Sequence, residues 1–172
     1  MRSAEPSGSW KKSAVHPGLA KRPLRYDRLV LVIGLTQGRV PRRIGLPALA
    51  GWPLVLPGRE HGLRRLIDEA CTPVGVQLDV VAEIESLGSV KRAVEDGIGS
   101  TILTAGAVAE EVAAGRLRTI VIDSPAMRRR VVRVLGTARP RTMAAAAVDA
   151  LVVEVLREMI RSGAWPATWI GP

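Results

Sequence analysis

The residues of this 172-residue chain that could do chemistry are few, and they gather in three short polar stretches. Pro57–Gly62 carries Gly58, Arg59 and His61 just ahead of an amphipathic run; Glu85 and Ser86 follow a second aliphatic stretch; Thr104, Ala105 and Gly106 follow a third. Each lies where an aliphatic run gives way to a helical pattern. In open α/β sheets such strand-to-helix loops collect ligands, because unpaired amides and the helix dipole favour carboxylates and phosphates there. Arg59 and His61 can give charge-assisted hydrogen bonds to an anion, and Thr104 can add a hydroxyl. Plainer roles stand beside these. A loop arginine is often only solvated, a histidine here can simply start a helix, and Ser86 reads first as an N-cap.

Catalysis finds little support. There is no GxSxG elbow, no HExxH and no phosphate loop, and neither His16 nor His61 sits in a triad pattern. Glu83 and Glu85, two apart on or beside a strand, share a facing. They could in principle act as a carboxylate pair, but with no other catalytic feature around them a solvated strand end is the better reading. Cys71 is the one cysteine, so it has no internal disulfide partner, and it lacks neighbours at metal-ligand spacing. No metal or cofactor is expected, and a reducing cytoplasm suits the chain. The run Arg128–Arg130 could touch phosphate, but nearby acidic residues favour a solvated loop.

The elements that must hold these loops follow from periodicity. Apolar residues make up 47% of the chain and aromatics only 3%, so the core is aliphatic. Strands are expected at Leu29–Ile33, Pro53–Pro57, Leu78–Ile84, Ser100–Leu103, Leu117–Ile122 and Arg130–Leu135, with a helical turn at Leu46–Ala50. Leu63, Leu66, Ile67, Ala70 and Cys71 fall on one helix face, with Arg64, Arg65, Asp68 and Glu69 opposite. A helix after Ser86 should bury Leu87, Val90 and Val94 and end at Gly97. A short one over Ala107–Ala114 should turn Val108, Ala109 and Val112 inward and end at Gly115. Thr142 should cap a long helix, Met143–Ser162, with Val148, Leu151, Val152, Val155, Leu156, Met159 and Ile160 on one broad apolar face and Gly163 as its stop.

Charge separates the front of the chain from its body. Residues 1–65 hold 13 Lys+Arg against 3 Asp+Glu, whereas residues 66–172 hold 12 against 13. Residues 1–27 show no period and read as a basic, mobile tail: either a nucleic-acid arm or, preferably, a solvated extension. No apolar run reaches the length of a membrane span, and the first residues lack a signal-peptide core.

Four stretches, in order, resemble the effector-binding domain of LysR-type transcriptional regulators. They are PLVLPGREHGLRRLIDEAC at Pro53–Cys71, VVAEIESLGSVKRAVEDGIGSTIL at Val80–Leu103, AVAEEVAAGRL at Ala107–Leu117 and RPRTMAAAAVDALVVEV at Arg139–Val155. The resemblance implies a periplasmic-binding-protein-like (type II) α/β sensor: one mostly complete lobe with a mainly parallel sheet and flanking helices, plus a long C-terminal helix. The expected division is a tail to residue 27, a second lobe over 28–138, a helix over 139–162 that returns to an incomplete first lobe, and a tail over 163–172. It also implies a truncated regulator fragment without its winged helix-turn-helix, through which alone it would meet DNA.

The candidate effector contacts are then Gly58, Arg59, His61, Glu85, Ser86, Thr104 and Ala105. Gly58 stands where the family often has serine, and Thr104 where it usually has proline. With the opposite wall absent, binding of a small anionic effector should be weak or lost. The leading expectation is non-catalytic sensing coupled to transcription regulation. The alternatives are a dimerisation or interaction module that modulates a full-length regulator, or a remnant without function. Either way, the long helix needs cover, which points to homo-oligomers or a LysR-type partner.

Overall fold

The computed structural model describes residues 18–138 and 140–171. They divide into two compact units: residues 28–129, and residues up to 27 together with 130–172. Strand β1 (Leu19–Gly34) passes from one unit into the other at Asp27.

In the larger unit the second half of β1 is the spine. Leu29, Leu31 and Ile33 point to one side and Val30 and Val32 to the other, and all five are buried. A strand that buries both faces reads as an unbroken aliphatic run, which is why it was legible in the sequence. It pairs antiparallel with β5 (Thr101–Thr104), Val30 opposite Leu103, and with β6 (Leu117–Ile122), Val30 opposite Val121. Strand β2 (Arg43–Ile44) runs parallel to β6. On the other side β3 (Pro53–Leu56) is parallel to β4 (Asp79–Glu83), and a parallel bridge from Leu54 to Ser100 joins β3 to the start of β5. The expected mainly parallel sheet is therefore present, with β1 as its one reversed strand.

Helices α1 (Gly62–Cys71), α2 (Leu87–Glu95) and α3 (Ala109–Ala113) connect the strands. Ile67, Ala70 and Cys71 of α1 join the main aliphatic core, and Val90 and Ala93 of α2 pack with Val55. Gly97 (φ +79°) and Gly115 (φ +68°) end the second and third helical segments in the left-handed conformation that favours glycine.

Three helix-face expectations need correction. Leu87 is exposed although Val90 and Val94 are buried as expected. Residues Ala105–Val108 form a 3-10 turn that shifts the phase of α3. Val108 is buried, but Ala109 and Val112 face solvent, and Glu111 takes the inward place. Arg64, expected on the polar face of α1, is only 4% exposed.

The smaller unit contains the first half of β1, strand β7 (Arg128–Gly136) from Arg130 onward, helix α4 (Met143–Arg161) and strand β8 (Ala167–Trp169). This corrects the expectation of a tail up to residue 27, for the strand begins at Leu19; residues 1–17 of that expected tail lie outside the described residues. It also corrects the expected tail after residue 162. Strand β8 pairs antiparallel with β1, Arg25 opposite Trp169 and Asp27 opposite Ala167. Arg25 is buried, its Nε 2.8 Å from Asp27 Oδ1 and its guanidinium 4.0 Å from the Trp165 ring centre. Such a cluster fixes basic residues that composition alone assigns to solvent.

Thr142 caps α4, its Oγ1 accepting from Ala145 N at 3.1 Å. No residue of this helix is buried, and Met143, Val148, Leu151, Val152 and Val155 are exposed.

Candidate functional site

Because β4, β3 and β5 are mutually parallel, their C-terminal ends lie at the same end of the sheet. Glu83, Leu56 and Thr104 are the last residues of these strands, so the three loops singled out by their chemistry follow from one edge. Topology therefore brings Gly58 and Glu85 together across 27 positions of sequence.

The first loop is set by the β3–β4 ladder. Leu54 pairs with Val80 and Val55 with Ala82, so Val81 is an extra, bulged residue. The bulge puts Leu56 opposite Glu83, and Ile84 N donates to Leu56 O at 3.0 Å beyond the strand end. This register brings Glu85 alongside Gly58, whose amide donates to Glu85 Oε1 at 2.8 Å. A Cβ on residue 58 would stand 2.8 Å from that same oxygen and 3.7 Å from Glu83 Oε2. The two glutamates thus share a surface, as their spacing suggested.

The remainder of the loop folds into α1. His61 N donates to Gly58 O, and His61 Nδ1 accepts from Leu63 N at 3.1 Å, so the imidazole is the helix N-cap. Arg59 is exposed and makes no ion pair among the described residues. With Arg64, Leu78, Val80 and Glu83 it lines a shallow depression beside β4.

Arg64 is what the sequence reading missed. Its Nε lies 3.1 Å from Asp68 Oδ1, while its Nη1 donates to Glu83 Oε1 at 3.2 Å and to Pro57 O at 3.4 Å. One buried guanidinium ties α1, β4 and the Pro57 carbonyl of the loop together. The only sequence signal was its i,i+4 spacing from Asp68, which ordinarily marks an exposed pair.

Ser86 caps α2, its Oγ 3.5 Å from Ser89 N. Thr104 is buried, paired with Leu29 across the β1–β5 ladder, and Ala105 opens the 3-10 turn after it. Cys71 lies in the core, and burial first, then the Asp68 charge, pushes its thiol up, away from the reactive thiolate. Among the described residues no three His, Cys, Asp or Glu side chains are grouped to hold a metal ion. No helix among them is long and apolar enough to cross a membrane.

Residues 9–157 match the family described as the LysR substrate binding domain. The chain is 32% identical over 154 residues to the HTH-type transcriptional regulator BbuR of Bordetella bronchiseptica, covering 88% of this chain and 47% of that protein. It thus spans about half the length of that relative. The regulatory domain of CcmR from Synechocystis PCC6803, in complex with 2-PG, superposes with a TM-score of 0.70 at 19% identity, over 80% of this chain and 67% of that one. The effector binding domain of QuiR, in complex with shikimate, gives 0.69 at 18% identity, over 84% and 68%. At these identities the structural likeness speaks to the fold, which is the periplasmic-binding-protein-like type II arrangement.

Proposed function

The chain belongs to the LysR substrate-binding domain family, and from that premise we propose that it works as a non-catalytic effector-sensing module of a cytoplasmic transcriptional regulator. The observation that supports this reading is the parallel run of β3, β4 and β5, whose ends are followed by the loops carrying the candidates Gly58, Arg59, His61, Glu85, Ser86, Thr104 and Ala105, with the Gly58 amide bonded to Glu85 across two of them. Arg59, exposed at that edge and without an ion pair among the described residues, is the cation for a small anionic effector, and Thr104 the candidate hydroxyl. The similar CcmR and QuiR domains hold 2-PG and shikimate, which supports a small oxygenated anion as the ligand class. Affinity of this chain alone is weak, because a single loop cluster leaves much of a ligand in water.

Titration of the isotope-labelled chain with shikimate and 2-PG tests the reading. Amide shifts confined to residues 58–61, 85–86 and 104–106, saturating only at high ligand concentration, are expected. Perturbations elsewhere, or turnover of either compound, would sink it.

A second reading rests on α4, which exposes Val148, Leu151, Val152 and Val155 along one side. Such a face favours association with a second copy or with a LysR-type regulator. Co-purification with a full-length regulator, lost when this face is made polar, is the outcome that would favour it.

A further inference from the structure

We infer that Glu85 is an internal ligand of the effector loop, a tethered carboxylate seated on the Gly58 amide that any free carboxylate must displace. The inference rests on the sensing role proposed above and names the residue that sets its anion affinity.

An amide at the end of a parallel strand, just ahead of a helix, is the kind of donor that recognises a carboxylate. Here it is already engaged, by Glu85 Oε1 at 2.8 Å. The seat exists because residue 58 lacks a side chain, for a Cβ would come within 2.8 Å of that oxygen. It is aimed by the backbone: the bulge at Val81 and the Ile84-to-Leu56 hydrogen bond carry the chain past β4 with Glu85 opposite Gly58. The neighbouring acid is committed elsewhere, since Glu83 Oε1 takes Nη1 of the buried Arg64. Glu85 has no such arginine partner among the described residues, and the hydrogen bond its carboxylate accepts there is the one from the Gly58 amide.

A tethered group competes at an effective concentration on the order of millimolar. Its charge also repels an incoming anion at close range. Both effects act against free carboxylates at the loop, and both vanish together in Glu85→Ala. In Glu85→Gln the charge goes but an amide oxygen remains to compete, so that variant falls between. Gly58→Ala works from the other side, evicting the flexible end of Glu85 without removing its charge.

The test uses the full chain and its three variants at one pH and ionic strength, with shikimate and malonate as probes. Two readouts are taken: the Gly58 amide proton shift and hydrogen exchange without probe, and the affinity for each probe. The expected result is an upfield shift and faster exchange of the Gly58 amide in Glu85→Ala and faster exchange of the residue-58 amide in Gly58→Ala, with a gain in carboxylate affinity of about tenfold in Glu85→Ala. A smaller gain is expected in Glu85→Gln. A Gly58 amide indifferent to Glu85→Ala overturns the seat. Probes that shift the loop amides equally in wild type and Glu85→Ala overturn the competition while leaving the sensing role standing. Probes that shift no loop amide in any variant, although the Gly58 amide itself responds to Glu85→Ala, remove the sensing role and the competition with it, leaving only the internal contact.

Discussion

His61 shows how one side chain can satisfy two readings with different energies. As an N-cap its Nδ1 relieves the Leu63 amide, one of the donors that a helix start leaves without an intrahelical partner. His61→Ala should therefore lower unfolding stability by about 1 kcal/mol, and His61→Asn by less, because asparagine can cap in the same manner. Urea titration of both variants checks this; equal losses would mean that packing, not capping, sets the residue. Arg64 makes the opposite point. Its charge suggested solvent, yet three partners on three segments compensate its desolvation. Types and spacing singled out the loop residues only as candidates. Which of them are occupied by one another was not legible, because Gly58 and Glu85 meet only through strand pairing.

At the scale of elements, α3 is held by charge where an apolar face was expected. Lys91 Nζ of α2 lies 2.5 Å from Glu111 Oε1, and Arg116 Nη2 lies 3.9 Å away. The Lys91 hydrogen bond foremost, with help from the nearby cations, holds the Glu111 carboxyl below the usual glutamate range. A carboxyl depressed in the folded state stabilises the fold at neutral pH, and that contribution is lost as pH falls through the depressed value. Lys91→Met should cost roughly 1–3 kcal/mol at neutral pH and progressively less in acid. Denaturant curves taken across the acid range read this out, and a cost independent of pH would show that the lysine stem, not its charge, matters. The 3-10 turn that sets this phase leaves no mark in periodicity, since Val108, Ala109 and Val112 fit a helix face equally well on paper. The bulge at Val81 is similarly silent in sequence, yet it decides which β4 residues face the loop.

At the scale of the molecule, the exposed side of α4 is the surface on which the association reading rests. Leu151 and Val155 lie one turn apart and are 59% and 47% exposed. Leu151→Lys with Val155→Lys should shift the chain toward the monomer in sedimentation equilibrium with little change in helix content; unchanged association would place the contact elsewhere. The sequence by itself determined the class of this protein: the aliphatic runs, helix caps and glycine stops mark alternating strands and helices, because those signals are local and repeat with the period of each element. It also determined the order of the motif stretches, and hence the family. Only the tertiary structure decided that β1 opposes its neighbours, that residues 19–27 and 167–169 are strands, that Arg64 is interior and that Glu85 covers Gly58. Each of these depends on a partner distant in the chain. A residue's own type carries no record of which backbone group, ring or opposite charge the sheet will bring against it.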